Sequence, residues 1–200
     1  MVLMSRRRIV ALLAVPLWVG ALAPSPSRAA PPPTNGAVRV GEPAPEFALP
    51  GFDGRWIRLA DRLGTKPVLI VFWSYFCFPC QRELPQIEAL YRELGGDQVD
   101  VIGISLDGPE YDARVRPFVE EHGITFPNAY DRETEEFFET AEHYGVVGTP
   151  TSFLLDPGGR VRFIHLGRLD PEVIRALVHA AREQSYCPEI TKPAPGAGSR

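Results

Sequence analysis

Cys77-Phe78-Pro79-Cys80 is the place in this 200-residue chain where residue type and spacing together define a reaction. Two thiols separated by two residues can close a disulfide and open it again, so the pair can accept or deliver two electrons by thiol–disulfide exchange. The chain has three cysteines in all, too few to staple a fold, and the third, Cys187, is remote from the pair. The same spacing is half of a zinc site. The other half would need a second C-x-x-C or paired histidines, and His122, His143, His165 and His179 are scattered without ligand spacing. A purely structural bridge closing so short a loop would add little stability. The chemistry expected is therefore a redox-active Cys77–Cys80 disulfide, with no metal and no cofactor.

That chemistry needs a position that stabilises a thiolate. Val68-Leu69-Ile70-Val71-Phe72-Trp73 is an unbroken apolar run rich in β-branched and aromatic residues, which reads as a strand buried on both faces. A helix is expected after it, from about Phe78 to Leu94, with Leu84, Ile87, Leu90, Tyr91 and Leu94 as its apolar stripe and Gly95-Gly96 as its end. The motif then falls at a helix N-terminus, where unpaired N–H groups and the positive end of the dipole favour a thiolate. Pro79 in the first turn forfeits no hydrogen bond, and with Phe78 it shapes the motif's surface. Cys77 is expected at the tip, exposed and acidified, as the attacking thiol. Cys80 shares a helical row with Leu84 and Ile87, so it is expected to face inward as the resolving thiol. Glu83 should flank Cys80. Against apolar surface its carboxyl would have a raised pKa and could carry the Cys80 proton; in solvent it would only favour the helix dipole. Trp73 and Phe76 either frame the cysteines or belong to the core.

Val99 to Ser105 reads as a second buried strand, parallel to the first across the helix. Further helices are expected over Ala113 to His122 and near Glu135 to Tyr144. Thr151 to Leu155 and Arg160 to Leu166 flank the tight turn Asp156-Pro157-Gly158-Gly159 as an antiparallel pair. Asp170 caps a last helix with Pro171 at its first position and Val173, Ile174, Leu177 and Val178 turned inward. These elements make an α/β domain, residues 38–184, with a mixed sheet between helices.

Several spaced motifs in order carry more weight than the C-x-x-C alone: Val40-Gly41-Glu42-Pro43-Ala44-Pro45-Glu46-Phe47, Trp73-Ser74-Tyr75-Phe76-Cys77-Phe78-Pro79-Cys80, Glu83-Leu84-Pro85 and Gly148-Thr149-Pro150-Thr151. From about Val40 to Arg182 the chain resembles the TlpA/ResA-like branch of the thioredoxin superfamily, with its AhpC/TSA-Redoxin-like domain. The resemblance implies a thioredoxin-like fold: a central mixed sheet flanked by helices, an N-terminal β-hairpin extension and a helical insert. It implies an extracytoplasmic enzyme exchanging disulfides with protein thiols, in the direction of a reductant, with apocytochrome c or a copper-site protein as partner. It also implies a cis Thr149-Pro150 peptide beside the cysteines, presenting the Thr149 backbone as a docking edge for an extended substrate, and an active-site glutamate at Glu83. Phe76 departs from the family, which most often has Trp there; this bears on partner surface or potential and leaves the chemistry in place.

Two other functions were weighed. Peroxiredoxins, which share the fold and a similar opening segment, need Pro seven residues and Thr or Ser three residues before the reactive cysteine; Ser74 fits and Ile70 does not. A copper carrier would use both thiols as soft ligands, but the related copper-assembly proteins space them C-x-x-x-C.

The first thirty residues read as an address. Arg6-Arg7-Arg8 precedes the mostly apolar Ile9 to Ala23, and Ser27-Arg28-Ala29 offers a cut before Ala30, the pattern of an export signal over residues 1–29. Fifteen residues are short for a spanning helix, which needs about 20. Ser5 to Val10 also looks like a twin-arginine signal; left uncut, the segment would tether the domain to the inner membrane. A Pro-rich spacer (30–37) and a flexible tail (185–200) flank the domain. In that tail Cys187 is a bystander, a redox partner or a dimer-forming thiol. The expected location is periplasmic or otherwise extracytoplasmic, with a membrane or envelope redox partner resetting the pair. The composition, 44% hydrophobic and 23% charged, is that of a globular protein. Without residues 1–29, 17 basic residues face 25 acidic ones, net −8, which argues against nucleic acid as partner. A monomer is expected.

Overall fold

The structure, a computed structural model, describes residues 37–183. The expected export segment, nearly all of the spacer and the tail with Cys187 lie outside the described residues. A short antiparallel hairpin opens the fold, β1 (Ala48–Pro50) paired with β2 (Trp56–Arg58), followed by a single 3-10 turn at Leu59–Arg62. Then come β3 (Val68–Trp73), α1 (Phe78–Leu94), β4 (Asp100–Ser105), α2 (Asp112–Glu121) and β5 (Asn128–Tyr130). The described residues end with α3 (Glu139–Tyr144), β6 (Thr151–Leu155), β7 (Val161–Leu166) and α4 (Pro171–Arg182). The five main strands lie in the order β5-β4-β3-β6-β7: β3, β4 and β5 pair in parallel, β6 pairs antiparallel with β3, and β7 pairs antiparallel with β6.

Period-two alternation in β3 splits the core into two layers. Leu69, Val71 and Trp73 face Cys80, Leu84 and Ile87 of α1, Val115 and Phe118 of α2, and Ile174 and Val178 of α4. Val68, Ile70 and Phe72 face the other way, onto Leu49 and Ile57 of the hairpin and Ala141 and Tyr144 of α3. Every β3 side chain is buried, as in β4 and β6, so the strand that leads into the motif is fixed on both faces. Gly103 in β4 leaves room for a bond within the first layer: a Cβ there would lie 2.0 Å from Asn128 Oδ1, which instead passes over the glycine to accept the Trp73 indole N–H at 3.1 Å. Among the described residues no helix is long and apolar enough to cross a membrane.

The strand Val68–Trp73, the helix Phe78–Leu94, the strand Thr151–Leu155 and the Asp170 cap with Pro171 fall where the sequence places them. The strands expected from Val99 and Arg160 begin one residue later, and the helix expected over Ala113–His122 lies one residue earlier. The helix expected from Glu135 is only Glu139–Tyr144. Before it, the Thr134 hydroxyl accepts the N–H groups of Glu136 and Phe137, and Glu133 bridges Phe138, which holds these residues out of the helix. A third parallel strand, Asn128–Tyr130, was not expected at all. The segment between β4 and β6 thus holds α2, β5 and α3.

Candidate active site

Cys77 ends the turn after β3. Its N–H donates to Ser74 O at 3.2 Å, its backbone is extended (φ −93°, ψ 101°), and it is the N-cap of α1. The capping acceptor is its sulfur: the Cys80 N–H donates to Cys77 Sγ at 3.3 Å. A thiolate at this atom would keep that hydrogen bond and sit at the positive end of the helix dipole. The two sulfurs are joined as a disulfide, with Cα atoms 5.3 Å apart. Cys80 is fully buried in the row of Leu84 and Ile87. Cys77 is half-buried rather than exposed as expected, because the Thr149 carbonyl oxygen lies 3.4 Å from its sulfur. The Thr149–Pro150 peptide is cis, and its loop is fixed by Gly167 N–H donating to Pro150 O at 2.8 Å and the Thr151 hydroxyl donating to Gly148 O at 2.6 Å.

Glu83, one turn beyond Cys80, is 1% exposed, so it is not a solvated first-turn carboxylate. Its Oε1 accepts the Leu169 N–H at 2.8 Å, and its Oε2 has no partner among the described residues. Burial pushes its pKa from an ordinary 4.5 up to about 7, against the opposing pull of the Leu169 N–H and the Arg168 charge. A carboxyl buried on the same helix as Cys80, with one free oxygen and a pKa near neutrality, can take up and return a proton.

The two aromatics left open by the sequence part company. Trp73 is fully buried in the core, packed against Phe118 with ring centroids 5.9 Å apart. Phe76 is 60% exposed and Phe78 is 66% exposed, and they flank Cys77 on either side. Phe76 stands edge-on to Tyr75 and to the exposed Tyr111. On the side of the Thr149 loop, Val147 and Leu166 are also exposed. Large apolar side chains are thus exposed on both sides of Cys77 in the chain and on the side of the Thr149 loop, and on a protein surface such side chains mark a place for contact.

One residue of the site was missed. Asp107, 3% exposed, accepts the Ser74 hydroxyl at 2.6 Å, the Tyr75 N–H at 2.7 Å and the Ser105 hydroxyl at 2.8 Å. It ties the turn that carries Cys77 to the end of β4. The Gln81 side-chain amide adds a second tie by donating to Tyr75 O at 2.5 Å. The available signal was an Asp just past the end of a buried strand, but that strand's alignment with β3 had to be known first.

Comparison with known proteins agrees with this geometry. Residues 40–164 match the model of the AhpC/TSA family. The thiol-disulfide oxidoreductase ResA of Geobacillus thermodenitrificans is 37% identical over 139 residues, covering 70% of this chain and 76% of that protein. The ResA protein of Halalkalibacterium halodurans is 29% identical over 148 residues, covering 74% and 80%. Among solved structures, StoA from Bacillus subtilis superposes with a TM-score of 0.56 at 26% identity, covering 68% of this chain and 98% of that one. A thiol-disulfide isomerase from Corynebacterium glutamicum superposes with a TM-score of 0.60 at 27% identity, covering 69% and 96%.

Proposed function

Because the chain belongs to the AhpC/TSA family and is a thiol-disulfide oxidoreductase of the ResA type, we propose that Cys77 and Cys80 are its redox couple and that it reduces disulfides of chosen protein partners outside the cytoplasm. The observation that carries this reading is the Cys77 sulfur capping α1, with Cys80 buried behind it and Glu83 buried beyond. In the reduced protein the Cys77 thiolate attacks one sulfur of a partner disulfide. A Cys77–partner mixed disulfide forms, and the partner's other sulfur leaves as a thiolate. Glu83 accepts the Cys80 proton, the Cys80 thiolate attacks Cys77 Sγ, and the Cys77–Cys80 disulfide closes as the partner's second thiolate departs. Two electrons have passed to the partner, and a dithiol of a membrane or envelope protein returns them.

Thr149, beside the Cys77 sulfur, offers its backbone as the edge on which an extended partner strand lies. The aromatic ring of Phe76 and Phe78 covers the partner's flanking residues. An apocytochrome c or a copper-site protein is the class of partner that fits, since each must hold reduced cysteines before its cofactor binds. The Arg-rich start and the apolar Ile9 to Ala23 support export of the domain. The test is a full-length Cys80→Ala variant, which cannot resolve its mixed disulfides. Partner proteins held on Cys77 in envelope fractions and released by reductant are expected. A variant that carries none, or that resides in the cytosolic fraction, would overturn the reading.

A further inference from the structure

A groove of about 390 Å³ lies between α1 and α2, next to the turn that carries the redox pair. Its apolar lining includes Tyr75 and Phe78, which flank Cys77 in the chain, with Pro117 and Phe118 opposite. Arg82 stands on the α1 wall and Arg114 on the α2 wall, and both are exposed. Among the described residues, neither guanidinium is within ion-pair distance of a carboxylate. Arg82 instead lies over the Phe78 ring, 5.8 Å from its centroid. Glu121, one of the lining residues, comes from the C-terminal end of α2, two turns beyond Arg114.

Aromatic and arginine side chains together are the composition of interface anchors, and two unpaired cations on facing walls favour an anionic guest. The setting sharpens the preference, because residues 30–200 carry 17 basic against 25 acidic side chains. An acidic segment would be repelled by much of this surface and attracted at the mouth of this groove, which fixes its register.

We propose that the α1–α2 groove seats the stretch of partner polypeptide next to its reacting cysteine and selects stretches with Asp or Glu at the positions facing Arg82 and Arg114. The proposal deepens the redox reading and rests on it, since Cys77, which lies between the lining residues Tyr75 and Phe78 in the chain, is the residue the partner must reach.

The test uses the reduced full-length protein and two symmetric disulfide-linked peptide dimers, identical except that the residues flanking the cysteine are Asp and Glu in one and Lys in the other. The neutral 2-hydroxyethyl disulfide serves as a third substrate, and each rate is divided by that with dithiothreitol. In each reaction Cys77 displaces one thiolate, Cys80 displaces the second, and the Cys77–Cys80 disulfide closes. At low ionic strength the acidic dimer is expected to react about tenfold faster than the lysine dimer, with the gap closing near about 0.5 M salt. The double variant Arg82→Ala/Arg114→Ala should slow the acidic dimer alone. Equal normalised rates for the two dimers, or a double variant that slows all three substrates alike, would overturn the groove's role. Failure to reduce the small disulfide would sink the redox reading itself, and the groove's role with it.

Discussion

Leu169 donates its backbone N–H to Glu83 Oε1 across 2.8 Å, and Oε2 of the same carboxyl is buried without a partner among the described residues. The donor comes from the loop between β7 and α4, 86 residues further along the chain. One oxygen is therefore held by the fold while the other stays available. Among the described residues no ion pair holds the carboxyl permanently charged, while the Leu169 N–H fixes its orientation. That arrangement suits a group that must exchange a proton with the buried Cys80 in every cycle.

Burial raises the Glu83 pKa from 4.5 to about 7, so between those values the folded protein holds a proton that the unfolded chain has released. Stability from this group is fully present below about pH 4.5 and is lost as pH rises through about 7, a change of about 3 kcal/mol. Glu83→Gln keeps an acceptor for the Leu169 N–H and cannot ionise. In denaturant unfolding of the oxidised protein, the variant is expected to gain on the wild type by up to about 3 kcal/mol from pH 4 to pH 8. In exchange kinetics it should be slower by roughly ten- to a hundredfold and lose the pH dependence near neutrality. A constant stability difference, or an unchanged kinetic profile, would remove Glu83 from the mechanism.

Asp107 accepts three donors that would otherwise lose their partner inside the protein. Asp107→Ala is expected to cost about 2–4 kcal/mol in chemical unfolding. It should also broaden the pH dependence of Cys77 alkylation, because the turn from Ser74 to Cys77 loses its anchor on β4. A cost below about 0.5 kcal/mol would show that the clamp contributes little to the fold.

Trp73 and Phe76 should respond oppositely to substitution. Trp73→Phe empties buried volume and leaves Asn128 Oδ1 without the indole N–H, so a loss of about 1–3 kcal/mol is expected. Phe76→Ser, at a site 60% exposed, should change stability by less than about 1 kcal/mol while slowing reduction of a protein disulfide more than that of a small one. Equal slowing of both substrates would deny Phe76 a place on the docking face.

Much of this was legible because the informative segments are long and periodic. The unbroken apolar run Val68–Trp73 left little choice but a central strand, and the row Cys80, Leu84, Ile87 settled which thiol is buried. Whether Trp73 or Phe76 lies at the surface was not legible, since both follow or end a buried run and only the turn after β3 separates them. Asn128–Tyr130 was missed because three residues with a polar leader carry no period; the strand exists because β4 has an open edge and Asn128 can reach Trp73 over Gly103. Asp107 escaped notice for a related reason. Its partners Ser74 and Tyr75 lie more than thirty residues away and meet it only after β3 and β4 align.

On the function proposed above, Cys77, capping α1, is the acidic and attacking thiol. Alkylation of the fully reduced protein as a function of pH, with the modified cysteine located by mass spectrometry, tests it most directly. Cys77 is expected to be modified first at every pH, with its rate half-maximal below about pH 7.5, while Cys80 stays protected. Modification of Cys80 first, or a Cys77 midpoint at or above about 8.5, the value of a free thiol, would contradict it.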